Sequence, residues 1–438
     1  QYWPYANNYT TEGTFRNGSA VYLENNGNAT LNGGAGNDFL WGAQGEDTLD
    51  GGTGQDHLIG GRGIDTFVIR AGDGSTSLTD ADVIHDFKDG TDLIGMDSLT
   101  YDQLTIAQGS GNYVNMVLVS ITSSGEYVAV MHTQGQNGEE TISASDITAL
   151  DFVSTSTADQ TINGATGNDT LIGGSGDDTF NTNTGTDSVY GHGGNDTINV
   201  NGAGSKVIDG GAGTDSLVIA YSGISNLSDF SISESGDYTV FTYSNGDTIQ
   251  FKNVENLTVG SHAYTNDASA DTFWNSSEYV LYMYSGGNTS SSDITSLSGF
   301  SGTANLSVVG SASADTMNIN LDRRAGESNS FSGNWTINLA AGNDVLNSAR
   351  LKNGDSIDMG AGDDTVSILL AGSNGAATIA NANLAKLDGG AGWDTLNFQE
   401  SGSSTTAINF STANATNFEA IIGTAGNETI TGDANANF

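Results

Sequence analysis

The sequence predicts an all-β protein in which short strands stack along one axis as a β-solenoid, with antiparallel strand regions inserted between the stacks. The first observation is a strict nine-residue repeat over residues 32–67, NGGAGNDFLWGAQGEDTLDGGTGQDHLIGGRGIDTF. The second is another array of the same period within residues 159–220. The third is composition: 61 glycines, one proline and 36% apolar residues in 438 suit a thin extended core better than a compact globule.

Each nine-residue unit predicts a tight turn followed by a very short strand. The six glycine-rich residues permit the positive φ angles of a turn, and an apolar residue two positions after the aspartate supplies one inward face. A single unit cannot bury that face alone, so the units must stack. A flexible Gly/Asp linker would not keep an apolar residue two positions after every aspartate.

These units resemble the glycine-rich nonapeptides of the RTX (repeats-in-toxin) family, whose pattern G-G-x-G-x-D-x-U-x forms a parallel β-roll with calcium held between turns. In that fold successive turns alternate sides, so turns two units apart stack. The resemblance also implies several Ca²⁺ ions, which take about six to eight oxygen ligands from carboxylates and backbone carbonyls. The stacked pairs it implies are Asp38 with Asp56, Asp47 with Asp65, Asp169 with Asp187, and Asp178 with Asp196.

The resemblance makes the aspartates and glycines of the turns the candidate calcium ligands. In the first array these are Gly33, Gly34, Gly36, Asp38, Gly42, Gly45, Asp47, Gly51, Gly52, Gly54, Asp56, Gly60, Gly61, Gly63 and Asp65. In the second array they are Gly164, Gly167, Asp169, Gly173, Gly174, Gly176, Asp178, Gly185, Asp187, Gly191, Gly194, Asp196, Asp209, Gly211, Gly213 and Asp215. In the last third they are Asp344, Asp358, Asp364, Asp388 and Asp394.

The charge of the chain restricts its partners. Against 52 Asp and Glu there are 11 Lys and Arg, a net charge of −41, so nucleic acid is excluded as a partner because phosphate binding needs basic surface. If each calcium offsets two charges, about twenty ions would neutralise the chain. The calcium-free chain is therefore expected to repel itself and to fold only when calcium binds. Cysteine is absent, so no disulfide can take over this role.

The pattern divides the chain into six regions. They are a capping or docking segment (1–31), a first roll (32–71), a β-strand cap or insert (72–158), a second roll (159–220), a β-strand insert (221–309) and a degenerate calcium-binding solenoid (310–438). The aromatic-rich first region is expected either to cap the first open turn or to dock on another copy. No stretch approaches eighteen apolar residues, so no membrane span is predicted.

The segment after the first roll, DADVIHDFKDGTDLIGMDSL at 80–99, resembles the exit sequence that follows RTX rolls in secreted proteases and lipases. Alternating runs at 113–121 and 127–132 predict antiparallel strands that close this end. His85 and His132 stand isolated there, which favours structural roles over ligand roles. RTX proteins usually leave by a C-terminal secretion signal, and the ending TITGDANANF resembles mid-repeat sequence, so a C-terminus beyond residue 438 is expected.

The last third repeats the unit irregularly. Its acidic positions fall at Asp315, Asp344, Asp364, Asp394 and Glu428, with spacings of 29, 20, 30 and 34 residues that indicate strands or loops inserted between turns. The blocks that start at Asp209 and Asp388 align with each other. They place Glu255 and Glu419 at matching positions, either as calcium ligands or as charges on a turn surface.

No catalytic site can be assigned, so the sequence predicts a protein that is not an enzyme. HExxH and G-x-S-x-G motifs are absent, which argues against the RTX metalloproteases and lipases. The best enzymatic candidate is Asp322-Arg323-Arg324, because polysaccharide lyases and epimerases combine such residues, but a local ion pair is favoured. The aromatic run Tyr279–Tyr284 is read as core strand rather than as a sugar-stacking face.

These observations predict a secreted, calcium-dependent structural protein at the cell surface that forms a surface layer, filament or matrix by self-association. Two alternatives stay open. One is the adhesive region of a larger surface protein that binds a surface polysaccharide in a cleft near Trp274, Tyr279 and Tyr282. The other is the non-catalytic module of a secreted polysaccharide-modifying enzyme.

Overall fold

The structure is a computed structural model that forms two compact units. One unit spans Gln1–Ser222 with Ile249–Val254, and the other spans Gly223–Thr248 with Glu255–Phe438. The residues described are 12–14, 20–22, 27–132, 142–267, 271–284, 288–290, 303–318, 333–349, 354–370, 387–400, 409–411, 415–423 and 429–431. Within these ranges there is no α-helix, and no helix could cross a membrane. The predicted all-β class is confirmed.

The first unit begins with a parallel β-roll. Its strands are β1 (Glu12–Thr14), β2 (Ala20–Tyr22), β3 (Thr30–Ala35), β4 (Phe39–Gln44), β5 (Thr48–Thr53), β6 (His57–Arg62), β7 (Thr66–Arg70), β8 (Asp82–Ile84) and β9 (Leu93–Asp97). Odd-numbered strands form one sheet and even-numbered strands the other. Thr30 pairs with Thr48 and Phe39 with His57, so each strand lies beside the strand two units further on, as predicted. Leu31, Leu40 and Leu49 are buried between the sheets.

Antiparallel strands close the end of this roll, as the sequence predicts. The elements are the 3-10 turns η1 (Tyr101–Gln103), η2 (Gly111–Tyr113) and η3 (Ala149–Asp151), with β10 (Leu104–Gln108), β11 (Met116–Ile121), β12 (Glu126–His132) and β13 (Phe152–Ser154). Strands β10, β11 and β12 pair antiparallel. Strand β12 then joins β8 in parallel and β13 joins β9. The cap therefore extends both sheets of the roll.

A second parallel roll follows in the same unit. It consists of β14 (Thr161–Asn163), β15 (Thr170–Ile172), β16 (Thr179–Asn181), β17 (Asp187–Tyr190), β18 (Thr197–Val200), β19 (Lys206–Asp209) and β20 (Ser216–Ile219). Strands β14, β16, β18 and β20 stack in one sheet, and β15, β17 and β19 in the other. Residues 249–252 add to β19 in parallel. Phe180, Val189 and Ile198 are completely buried between the two sheets.

The second unit starts with antiparallel strands. They are β21 (Phe230–Ser235), preceded by the turn η4 (Leu227–Asp229), then β22 (Tyr238–Tyr243), β23 (Thr248–Lys252), which begins in this unit, β24 (Asn256–Val259), β25 (His262–Asp267), β26 (Thr272–Asn275) and β27 (Val280–Met283). Strands β24 to β27 pair antiparallel in sequence. Leu281, Met283 and Tyr284 are buried, and Trp274 is 2% exposed. Tyr284 of the aromatic run thus lies in the core, whereas Tyr279 and Tyr282 are half-buried.

The last third is a third parallel stack with longer rungs. Its strands are β28 (Asn288–Ser290), β29 (Leu306–Val309), β30 (Thr316–Asn318), β31 (Trp335–Asn338), β32 (Val345–Ala349), β33 (Ser356–Asp358), β34 (Thr365–Leu370), β35 (Leu387–Asp388), β36 (Thr395–Glu400), β37 (Asn409–Ser411), β38 (Ala415–Thr416), β39 (Ala420–Ile422) and β40 (Thr429–Thr431). Strands β29, β31, β33, β35 and β38 follow β27 in one sheet, and β28, β30, β32, β34, β36 and β39 form the other. Trp335, Leu346 and Leu396 are buried between them.

Close backbone contact between turns explains the recurrent glycines. Gly63 has φ of 137°, a conformation that residues with a side chain rarely adopt. A Cβ at this position would also collide with the carbonyl oxygen of Gly45 in the turn two units earlier. Glycine is therefore required here on both conformational and steric grounds, and it lets successive turns pack backbone against backbone.

Candidate metal centres

Apart from the turn that ends at Lys206, the roll turns direct one aspartate inward, and these aspartates stack into columns. In the first roll the backbone N–H of Asp38 donates to Oδ1 of Asp56 at 2.6 Å, and that of Asp47 donates to Oδ1 of Asp65 at 2.9 Å. The structure thus brings both predicted pairs together. The columns continue past the nonapeptides, because Asp56 N–H donates to Asp82 at 2.9 Å and Asp65 N–H to Asp92 at 3.1 Å.

The second roll repeats this arrangement on both sides. Asp178 N–H donates to Oδ1 of Asp196 at 2.7 Å, and Asp196 N–H to Oδ1 of Asp215 at 2.7 Å. On the other side Asp169 N–H donates to Oδ1 of Asp187 at 3.1 Å. The structure therefore places both predicted pairs of this roll in register. The position one rung beyond Asp187 is taken by Lys206.

Among the described residues of the second unit, a column runs from Asp315 to Glu419. The backbone N–H of Asp315 donates to Asp344 at 2.7 Å, that of Asp344 to Asp364 at 2.7 Å, and that of Asp364 to Asp394 at 2.9 Å. Asp394 N–H then donates to Oε2 of Glu419 at 2.8 Å. Glu419 consequently continues the column, whereas Glu428 and Asp322-Arg323-Arg324 lie outside the described residues.

The second carboxylate oxygen in these columns is a candidate ligand for a cation. Oδ2 is buried, with no donor among the described residues, in Asp47, Asp196, Asp344, Asp364 and Asp394. In the first roll Oδ2 of Asp47 lies against the first glycine of its own turn, Gly42, where a Cβ would occupy the same space. A buried carboxylate oxygen without a donor is costly, so a ligand that neutralises it would stabilise the turn.

Burial perturbs these carboxyl groups strongly. Loss of hydration, with the nearby charge of Asp65, raises the pKa of Asp47 to about 6. Loss of hydration likewise raises the pKa of Asp196 to about 7 and that of Asp344 to about 7, with the neighbouring column aspartates adding to both shifts. A cation close to these oxygens would favour their ionised form.

The donor set fits calcium. It consists of carboxylate oxygens and the carbonyl-rich backbone of glycine turns, the hard oxygen ligands that Ca²⁺ prefers. Within the described part of the chain no three His, Cys, Asp or Glu side chains converge as a metal cluster; the column aspartates come from successive turns. Asp47 with Asp65 and Asp178 with Asp196 are the pairs that would hold an ion, together with carbonyls of their turns.

Three predicted ligands lie away from the columns. Asp209 pairs with Lys252 at 3.0 Å and accepts from Asn253 at 2.7 Å. Asp358 and Asp388 accept from the backbone N–H of Gly360 and Gly390, each at 3.2 Å. All three stand at strand ends, where the two-residue alternation turns their side chains away from the core.

The predicted ligand set leaves out the column residues Asp82 and Asp92 and the substituting Lys206. Asp315 is predicted only as an acidic repeat position, and Glu419 as either a ligand or a surface charge. A usable signal existed for Asp82 and Asp92. Asp82-Val83-Ile84 and Asp92-Leu93-Ile94 keep the aspartate with an apolar residue two positions later, although their glycines are gone.

The histidines at the end of the first roll form a row rather than standing isolated. His57 Nδ1 lies 2.8 Å from His85 Nε2, and the rings of His85 and His132 stack with centroids 5.0 Å apart. These residues belong to three neighbouring strand positions of one sheet. Burial, with the adjacent His132 and His57, lowers the pKa of His85 to about 4.

Comparison with known proteins bears on both rolls. Residues 25–75 and 155–198 match the RTX calcium-binding nonapeptide repeat in overlapping copies. No curated protein matches the sequence significantly. Among solved structures, extracellular lipase LipA from Serratia marcescens matches at 16% identity with a TM-score of 0.23, covering 56% of this chain and 32% of the lipase. The chain thus spans about a third of that protein.

RTX repeats imply a calcium-binding protein of a class that is typically secreted. In both matched segments, the aspartates of the motif are the residues that form the buried columns. Residues 25–75 and 155–198 of this chain are therefore RTX calcium-binding nonapeptide repeats.

Proposed function

We propose that this protein is a secreted, calcium-dependent structural protein that builds a cell-surface layer, extracellular filament or matrix by self-association. The observation that carries the proposal is the distribution of its buried acidic residues. They recur turn after turn in both units, from Asp47 and Asp65 in the first to Asp344 and Asp364 in the second, and in the part of the chain that the structure describes no three of them cluster as a metal site. Such a distribution suits a scaffold held by ions along its length.

Charge supports the dependence on calcium. With a net charge of −41, the chain needs cations to bring its acidic turns together. The columns place like charges on consecutive rungs, and calcium between them would convert that repulsion into attraction. The free energy of calcium binding would then contribute to the stability of the fold. Assembly would therefore begin only where calcium is abundant.

Parallel stacking supports self-association. A β-stack can lengthen by adding a strand at its edge, because edge strands present N–H and C=O groups to a further chain. A second copy offers strands of the same spacing and pattern. We also propose a surface polysaccharide as a partner of the protein, because the acidic surface would bind it through shared calcium ions.

Electron microscopy of the purified chain with millimolar calcium and with excess EGTA tests the proposal. Ordered arrays or fibres that form in calcium and disappear in EGTA are expected. Single particles under both conditions would overturn self-association. Single particles that bind a polysaccharide in calcium would instead indicate an adhesive protein.

A further inference from the structure

Lys206 occupies a position that the nonapeptide pattern reserves for aspartate. On one side of the second roll the stacked turns end at Asp169, Asp187 and Lys206, and Lys206 is the register partner of Asp187 in the adjacent strands β17 and β19. Its turn, Asn201 to Ser205, keeps Gly202 and Gly204 of the motif, and Asn201 stands at the first glycine position. The backbone of Gly204 packs on the carbonyl of Gly185 in the same way that Gly185 packs on Gly167. The backbone contact between turns is therefore kept, while lysine replaces the acidic side chain.

The ammonium group of Lys206 lies among oxygens. Nζ donates to the carbonyl oxygen of Gly185 at 2.6 Å, of Gly204 at 3.2 Å and of Ala203 at 3.4 Å. It also lies 3.1 Å from Oδ2 of Asp187. Three turn carbonyls and one column carboxylate therefore surround it, which is the kind of donor set that the other columns offer to a cation.

Because the contact between Lys206 and Asp187 is buried, the stability of this turn depends on it. The side chains of both Lys206 and Asp187 are completely inaccessible to solvent. A buried ammonium is tolerated only when it is paired and hydrogen-bonded, and here both conditions are met. The arrangement also conserves charge, because an aspartate with one Ca²⁺ carries +1, and a lysine carries +1. Lysine thus replaces both the acidic ligand and the ion.

From this geometry we infer that Lys206 is a built-in substitute for calcium, so that the pair of turns ending at Asp187 and Lys206 binds no metal. The inference rests on calcium binding by the columns. It makes the second roll asymmetric: the Asp178, Asp196, Asp215 side depends on calcium, whereas the opposite side carries its own cation at this rung.

Two measurements test it. In crystals of the unaltered chain grown with Tb³⁺, an anomalous map should show peaks at aspartate columns and none within bonding distance of Lys206 Nζ. In calcium titrations, Lys206→Asp should bind one more ion per chain than the unaltered protein. Lys252→Asp is the matched control: Lys252 pairs with Asp209 outside the columns, so the same charge change should add no ion.

The outcomes separate this inference from the wider proposal. A metal peak beside Nζ, with the columns also occupied, would overturn the role of Lys206 alone. Equal ion counts for Lys206→Asp, Lys252→Asp and the unaltered chain would do the same. Columns without any metal would remove both the inference and the calcium-dependent function. If Lys206→Asp does not fold, the map of the unaltered protein decides.

Discussion

The backbone N–H of Asp178 lies 2.7 Å from Oδ1 of Asp196, so one carboxylate fixes the turn of the preceding rung while its other oxygen remains buried and without a donor among the described residues. The same group therefore has two tasks. One oxygen sets the register between turns, and the other is available to a cation.

Substitutions at Asp196 should separate these tasks. Asp196→Asn keeps an oxygen for the N–H of Asp178 but removes the charge, so calcium affinity in this column should fall at least about tenfold. Asp196→Ala also leaves the buried N–H of Asp178 without its acceptor. It should therefore lower the free energy of unfolding by a further amount of about 1–3 kcal/mol. Calorimetric titration and thermal melting measure the two effects. Asp177→Asn, on an exposed neighbour, is the control; Asp196→Asn with unaltered calcium affinity would contradict the assignment.

Removal of calcium should unfold the rolls reversibly. EGTA should abolish the β-sheet circular dichroism signal to a large extent, and added calcium should restore it, because the columns lose their counter-charge. Magnesium should not replace calcium, since it demands compact octahedral coordination and releases its waters reluctantly. A spectrum that EGTA leaves unchanged would show that the columns hold without metal.

Glycine replacement should reveal the contact between turns. Gly63→Ala introduces both a strained φ and a collision with the Gly45 carbonyl, and should cost about 2–4 kcal/mol in unfolding free energy. Gly72→Ala is the matched control, because Gly72 also has a positive φ, 99°, but no atom near the added Cβ. It should cost only about 1 kcal/mol. Chemical denaturation in saturating calcium compares them, and equal losses would rule out the steric contact.

The histidine row predicts a stability loss in acid. Because burial lowers the pKa of His85 to about 4, the unfolded chain binds more protons than the folded chain between pH 6.5 and 4. Folded stability should therefore fall as the pH drops through this window. His85→Phe keeps the stack but cannot titrate. Between pH 7 and pH 5 it should therefore lose less unfolding free energy than the unaltered protein, by a difference on the order of 1 kcal/mol given the partial exposure of the ring. Denaturation at both pH values measures this, with His262→Phe as background; parallel losses for all three proteins would contradict it.

The strict period made the stacking predictable. Where turns recur every nine residues, a chain that alternates sides must place Asp47 beside Asp65, and the same holds for Asp178 and Asp196. The inward residues of the strands follow from the same period. Local spacing, together with the alternation of sides that the RTX resemblance implies, therefore sufficed for both rolls.

The column ends were not predictable in this way. Asp65 reaches Asp92 across 27 residues, and Asp394 reaches Glu419 across 25. Such partners depend on strand register after an insertion, which local spacing does not encode. Asp209 shows the opposite case. It directly precedes a glycine pair, yet it occupies an outward-facing position of β19, so its side chain points towards Lys252. An acidic side chain in a repeat joins a column only when the pleat of its strand points it inward.

The column of the second unit joins residues 29, 20, 30 and 25 positions apart with nearly equal hydrogen bonds of 2.7 to 2.9 Å. Segments of different length can thus leave the rungs without disturbing the axis from Asp315 to Glu419. The length of chain between rungs can consequently change by insertion and deletion while the column of acidic residues keeps its spacing. Changes in the inserted segments and changes in the stacked rungs can therefore occur independently in this chain.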